Sequence, residues 1–285
     1  MLGLGAILTA SVTPFDAEGR VDDDACVGLW NHLLAHGSDG LVVGGTTGES
    51  ATLTDEEHVA LVALAVSEAG GRGSIVAGAG SNDTRHAVEL TERVTDAGAD
   101  AILSVTPYYN RPSRRGILAH YREVVRATDK PILLYNIPQR TGLDLPNDLL
   151  AELAQMEGIA GVKQARYEHL SPIDGLELYA GNDDTLAAVL DLGGAGGILV
   201  AAHLVGDRMR RMVDEPAHRA EIAAELAPLF QALSVAPAAT TVKAALRLVG
   251  LRAGDPRLPY VACDEAEIAA VRAGLQRVGV PVATA

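Results

Sequence analysis

Short, unbroken apolar runs rich in Val, Ile and Leu recur along the chain, and most are followed by a longer segment with apolar residues three and four apart. A short apolar run without polar alternation reads as a strand buried on both faces, and the longer spacing as an amphipathic helix. Strands are predicted at 6–12, 40–43, 74–77, 101–105, 131–135, 159–163, 177–179 and 196–200, with helices at 22–36, 54–69, 83–97, 114–127 and 184–192. Asp22, Thr54 and Asp83 stand where a side chain caps the first free N–H groups of a helix, and Gly37, Gly70 and Gly98 where the chain leaves one. Eight strands at this spacing predict an α/β fold of the (β/α)8 type, a closed TIM barrel. An open dinucleotide-binding sheet loses its main support, because no G-x-G-x-x-G follows the first strand. Beyond Val205 only helical spacing remains, at 205–214, 217–232, 241–248 and 264–278. The predicted division is a barrel core over 1–204, through its eighth strand, and a closing helix with a helical C-terminal extension over 205–285.

A parallel barrel gathers its functional side chains where strands end, so those positions narrow the search. Lysine is scarce: Lys130 occupies a turn, Lys243 a helical stretch, and Lys163 the end of the strand Ile159-Ala-Gly-Val-Lys163, pointing into the barrel mouth. Burial there disfavours the ammonium form. Bringing a lysine from about 10.4 to about 7 requires roughly 4 to 5 kcal/mol, which an apolar strand end can meet. The alternative is a lysine snorkelling to the rim. Tyr135 ends the preceding strand beside it and reads either as a proton relay or as an amphipathic cap. In Gly44-Gly-Thr-Thr-Gly-Glu49, glycines, hydroxyls and N–H groups ahead of a helix suit an anion, although a plain glycine turn has the same composition. Arg140, close after Tyr135, can clamp a carboxylate or simply face solvent. His32 with His36 and the Asn182-Asp183-Asp184 run read as a helix face and a cap or turn rather than metal sites.

Composition removes several classes of function. Of 285 residues, 48% are hydrophobic and 21% charged, which suits a folded globular chain. Acidic residues outnumber basic ones 37 to 23, giving a net charge of -14 that argues against nucleic acid or an anionic membrane as partner. Cys26 and Cys263 form neither a zinc spacing nor a disulfide framework, so a cytoplasmic location is expected. The first ten residues lack a basic leader, and no apolar run approaches the roughly 18 residues of a membrane span.

Taken together, Val12-Thr-Pro-Phe15, Gly45-Thr-Thr-Gly-Glu-Ser50, Val105-Thr-Pro-Tyr-Tyr-Asn-Arg-Pro112, Tyr135-Asn-Ile-Pro-Gln-Arg-Thr-Gly142 and Lys163 resemble the dihydrodipicolinate synthase and N-acetylneuraminate lyase family of class I aldolases over almost the whole chain. The resemblance implies a homotetramer, a dimer of dimers, with no metal or organic cofactor. It implies that Lys163 forms a Schiff base with pyruvate, that Thr46, Tyr135 and Tyr109 relay protons, and that Tyr109 reaches into a neighbouring subunit's site. Thr47 then matches the ligand of the pyruvate carboxylate, with further substrate contacts at Gly181 and Leu199. Arg140 matches the arginine that family members taking L-aspartate semialdehyde use for its carboxylate, so the expected reaction is the aldol condensation that opens lysine and diaminopimelate synthesis. The ending from Lys243 to Pro259 looks like the actinobacterial type. Cleavage or dehydration of a 2-keto sugar acid, or keto-acid binding without catalysis, are the other readings. Two departures stand out: Gln164 replaces the usual acidic residue, and the stretch from Lys163 to Gly181 is short and broken by Pro172. Asn82 and Tyr108 match the allosteric site of lysine-sensitive relatives, whereas His86 and Asp55 replace a glutamate and a histidine there.

Overall fold

The computed structural model describes residues 2–283; Met1 and the last two positions, which the expected N-terminal and C-terminal segments included, lie outside it. Eight parallel strands pair in sequence order and close on themselves: β1 (Ile7–Ala10), β2 (Gly40–Val43), β3 (Ser74–Gly78), β4 (Ala101–Val105), β5 (Ile132–Asn136), β6 (Ile159–Gln164), β7 (Glu177–Ala180) and β8 (Gly196–Leu199), with β8 returning to β1. The predicted (β/α)8 barrel is the observed one, with strand boundaries displaced by at most a few residues.

Helices α1 (Asp23–Ala35), α2 (Asp55–Ala69), α3 (Thr84–Asp96) and α4 (Arg114–Val124) follow the first four strands. Their starts are set by the residues expected to set them. Asp22 accepts from Ala25 N, Asp83 from Arg85 N, and Thr54 and Glu57 cap each other's backbone reciprocally. Two further helices lie after β5, α5 (Pro138–Thr141) and α6 (Asn147–Leu153), neither of them predicted. Between β6 and β7 there is no helix, and α7 (Leu186–Asp191) follows β7. α8 (Ala202–Asp214) follows β8, and α9 (Arg219–Leu233), α10 (Ala238–Leu248) and α11 (Glu265–Arg277) form the C-terminal extension. Among the described residues, no single helix is long and apolar enough to cross a membrane.

The apolar residues divide into two clusters. Leu8, Val42, Val76, Leu103, Leu133, Tyr135, Tyr179 and Ile198 pack inside the barrel, while Ile7, Leu41, Ile75, Ile102, Leu134 and Leu199 pack between the strands and the helices. Both faces of each strand are thus dry, which is why the sequence shows continuous runs. At the seam, Val12 N donates to His203 Nε2 at 3.2 Å and His203 Nδ1 donates to Val200 O at 2.7 Å, tying the ends of β1 and β8 together. Burial pushes this imidazole down to about 4, so it serves as a neutral donor and acceptor.

Candidate active site

Pairing register decides which side chains meet. Val105, Tyr135, Lys163 and Tyr179 are aligned across β4 to β7 and share the inward face. Lys163 is only 5% exposed, and its Nζ lies 4.3 Å from the centre of the Tyr135 ring. Burial pushes the Lys163 amine down to about 8; the Arg140 guanidinium acts in the same direction and the Asp183 carboxylate opposes both. Burial pushes the Tyr135 phenol up to about 12, against the pull of Arg140. The barrel mouth therefore holds an amine that gives up its proton more readily than a free lysine beside a protonated phenol, the pair a carbonyl addition needs.

The loop after β2 forms the next wall. Gly44 adopts φ 65°, and a Cβ there would meet the His58 ring at 2.4 Å, so glycine is required at the bend. Thr47 is buried and Thr46 half-buried. Glu49 N donates to Thr46 O, and Thr13 Oγ1 donates to Gly48 O at 2.7 Å, which fixes the turn. Arg140, on α5, borders two adjoining recesses. One, of about 490 Å³, is shared with Thr46 and Tyr108; the other, of about 390 Å³, with Gly181, Asp183 and Tyr167.

Gly181 closes the far side. Its N–H donates to Gln164 O at 2.8 Å, and a Cβ would come within 2.7 Å of the Ala165 Cβ. Two residues later, Asp183 Oδ1 accepts from the backbone N–H groups of Val200 and Ala201 at 2.9 and 3.0 Å. Burial pushes Asp183 up to about 6. The cap-or-turn reading of this run is correct in geometry, but it misses that the carboxylate is close enough to Lys163 to influence it. The signal available in the sequence was its place just beyond β7, the strand that pairs with the one carrying Lys163.

Two expected residues stand apart from this group. Tyr109 has φ 71° and is 88% exposed, directed away from its own chain. Leu199 packs in the outer cluster, and its neighbour Ile198 is the one inside the barrel, so the Leu199 side chain does not line the mouth. The comparison among lysines also needs correction: Lys243 is as buried as Lys163, with its Nζ 2.6 Å from Glu49 Oε1.

The two departures noted in the sequence have a common structural explanation. Gln164 aligns with Asn136 and Ala180 on the outward face, one position out of phase with Lys163. Its Oε1 accepts from Asn136 Nδ2 at 3.1 Å and from Arg166 N at 3.2 Å. Arg166 donates to Asp144 and Asn147 at 3.0 and 2.6 Å. A polar latch thus replaces the missing helix, and the shortened segment brings Tyr167 to the rim of the recess beside Arg140. At the other recess, His86 Nε2 lies 3.0 Å from Asp55 Oδ1, so the two substituted residues pair with each other.

The profile of the Dihydrodipicolinate synthetase family matches residues 3–278. The chain is 43% identical to 4-hydroxy-tetrahydrodipicolinate synthase 1 of Halalkalibacterium halodurans over 274 residues, covering 91% of this chain and 92% of that one. It is 45% identical to the 4-hydroxy-tetrahydrodipicolinate synthase of a Synechocystis species, covering 90% of each. Among solved structures, the dihydrodipicolinate synthase of Acinetobacter baumannii complexed with pyruvate superposes with a TM-score of 0.93 at 33% identity, covering 98% of this chain and 100% of that one. The lysine-bound enzyme of Cyanidioschyzon merolae does so with a TM-score of 0.93 at 37% identity, covering 98% and 99%.

Proposed function

This chain belongs to the dihydrodipicolinate synthetase family, and on that premise we propose that it is a class I aldolase-type lyase condensing pyruvate with L-aspartate 4-semialdehyde, the 4-hydroxy-tetrahydrodipicolinate synthase reaction. The neutral Lys163 amine attacks the keto carbon of pyruvate, and water leaves as the protonated imine forms. Loss of a methyl proton gives the enamine, whose carbon adds to the aldehyde of the semialdehyde. The amino group of that substrate then displaces Lys163 from the imine carbon, closing the ring and regenerating the amine. Thr46, Tyr135 and Tyr109 carry the protons, Thr47 holds the pyruvate carboxylate, and Arg140 takes the carboxylate of the semialdehyde, with Gly181 leaving room beside them.

The observation that carries this reading is the buried Lys163 amine, pushed down to about 8, with its Nζ 4.3 Å from the Tyr135 ring centre. A homotetramer is part of the proposal, and the 88% exposure of Tyr109 supports its service in a neighbouring subunit's site. The cytoplasmic location and the actinobacterial affinity rest on the cysteine usage and on the ending from Lys243 to Pro259 respectively. Borohydride reduction with pyruvate, followed by intact-mass and peptide analysis, is expected to place one pyruvyl adduct on Lys163. Pyruvate consumption is expected only when the semialdehyde is present. An unmodified Lys163 would refute the Schiff-base reading; an adduct without semialdehyde-dependent turnover would refute the second substrate.

A further inference from the structure

Glu49 closes the loop that carries Thr46 and Thr47, and it does so in the left-handed region at φ 59°, unfavourable for a residue with a side chain. Its carboxylate is wholly withdrawn from water. Oε1 accepts from Lys243 Nζ at 2.6 Å, and Oε2 accepts from the backbone N–H of Arg257 at 2.8 Å. Both side chains of the ion pair are 0% exposed, and the two residues are 194 positions apart.

The partners come from the C-terminal extension, Lys243 from α10 and Arg257 from the segment after it. Lys243 Nζ also donates to Asp255 O at 3.3 Å and lies 4.1 Å from the centre of the Phe15 ring. The Arg257 guanidinium lies 4.3 Å from the same ring and donates to both oxygens of Glu57, to Thr52 O and to Gly19 O. The loops after β1 and β2 are thus gripped by one cluster from the far end of the chain.

A buried ion pair is an inefficient way to hold a fold together, because desolvation offsets most of the attraction and an apolar pair of similar volume often serves as well or better. It has one property an apolar pair lacks, a fixed direction. We propose that Glu49 and Lys243 are positioning residues that hold Thr46 and Thr47 in the conformation that receives the keto acid, so that the barrel without its C-terminal extension is an incomplete site. This rests on the function proposed above and goes beyond it.

The test is the double variant Glu49→Gln/Lys243→Met in the full chain, which removes both charges together and strands neither. The melting temperature is expected to stay at or above that of the parent, while the pyruvate KM rises about tenfold or more and kcat changes less. Borohydride should still trap pyruvate on Lys163 at saturating concentration. A retained melting temperature with a pyruvate KM within about twofold of the parent would mean that the pair only supports the fold, and the inference would be overturned. Should the double variant not fold, Glu49→Gln alone, which keeps the shape and one of the two hydrogen-bond acceptors, is measured against the same criterion, with about a threefold rise expected and no rise overturning. Absence of a pyruvate adduct in the parent protein would instead refute the Schiff-base function, so the two failures are separable.

Discussion

Replacing Lys163 with Met should abolish turnover and make the protein more stable at neutral pH. In the unfolded chain the amine titrates near 10.5; in the barrel burial pushes it down to about 8. That difference, at about 1.4 kcal/mol per pH unit, amounts to about 3 kcal/mol by which the charged amine disfavours folding. Below pH 8 both states carry the proton and the whole penalty applies. Between 8 and 10.5 the folded protein releases the proton while the unfolded chain keeps it, so stability rises with pH and the penalty fades. Met has a similar volume, fills the space beside Tyr135 and carries no charge. At about 2 °C per kcal/mol for a chain of this size, the variant should melt roughly 6 °C higher at pH 7, with the gap closing as the pH approaches 10.5. Melting of both proteins by circular dichroism at pH 6.5, 8.0 and 9.5 measures this directly. A Met variant that melts lower than the parent, or a gap independent of pH, would show that the amine is not held against its desolvation cost.

The same titration governs catalysis: kcat/KM for pyruvate should rise tenfold per pH unit below about 8 and level off above it, and a profile flat from pH 6 to 9 would contradict a neutral Lys163 as nucleophile. Arg140→Ala should raise the semialdehyde KM by about 10- to 100-fold, the worth of a charge-assisted carboxylate contact, while pyruvate trapping on Lys163 stays within about twofold. Mixing the inactive variants Tyr109→Ala and Lys163→Ala, then dissociating and reassociating them, should restore about a quarter of parental activity, because half the dimers are hybrid and each has one intact site. No recovery in demonstrated hybrids would place Tyr109 in its own subunit's chemistry or outside it. Gln164→Glu should leave kcat and both KM values within about twofold, since its side chain lies outside the barrel and still accepts from Asn136 and Arg166; a large kinetic change would count against that orientation.

The elements were legible because strands buried on both faces and helices buried on one leave different periodicities in the chain. The eight strands, the capped helices, the helical ending and the motifs at strand ends all follow from local pattern, and Lys163 stood out because a lysine ending an apolar strand is chemically anomalous. The same dryness conceals phase. A strand with two apolar faces carries no alternation to say which residue points inward, so Ile198 and Leu199 are indistinguishable in sequence although only Ile198 enters the barrel. Helical spacing likewise placed Lys243 on a helix but could not reveal Glu49, 194 residues away, as its buried partner. Nor could it show that a polar latch of Gln164, Arg166 and Asp144 stands in for a helix between β6 and β7. Periodicity reports what a segment buries, whereas register, facing and distant pairing exist only once the barrel has closed and the extension has packed on it.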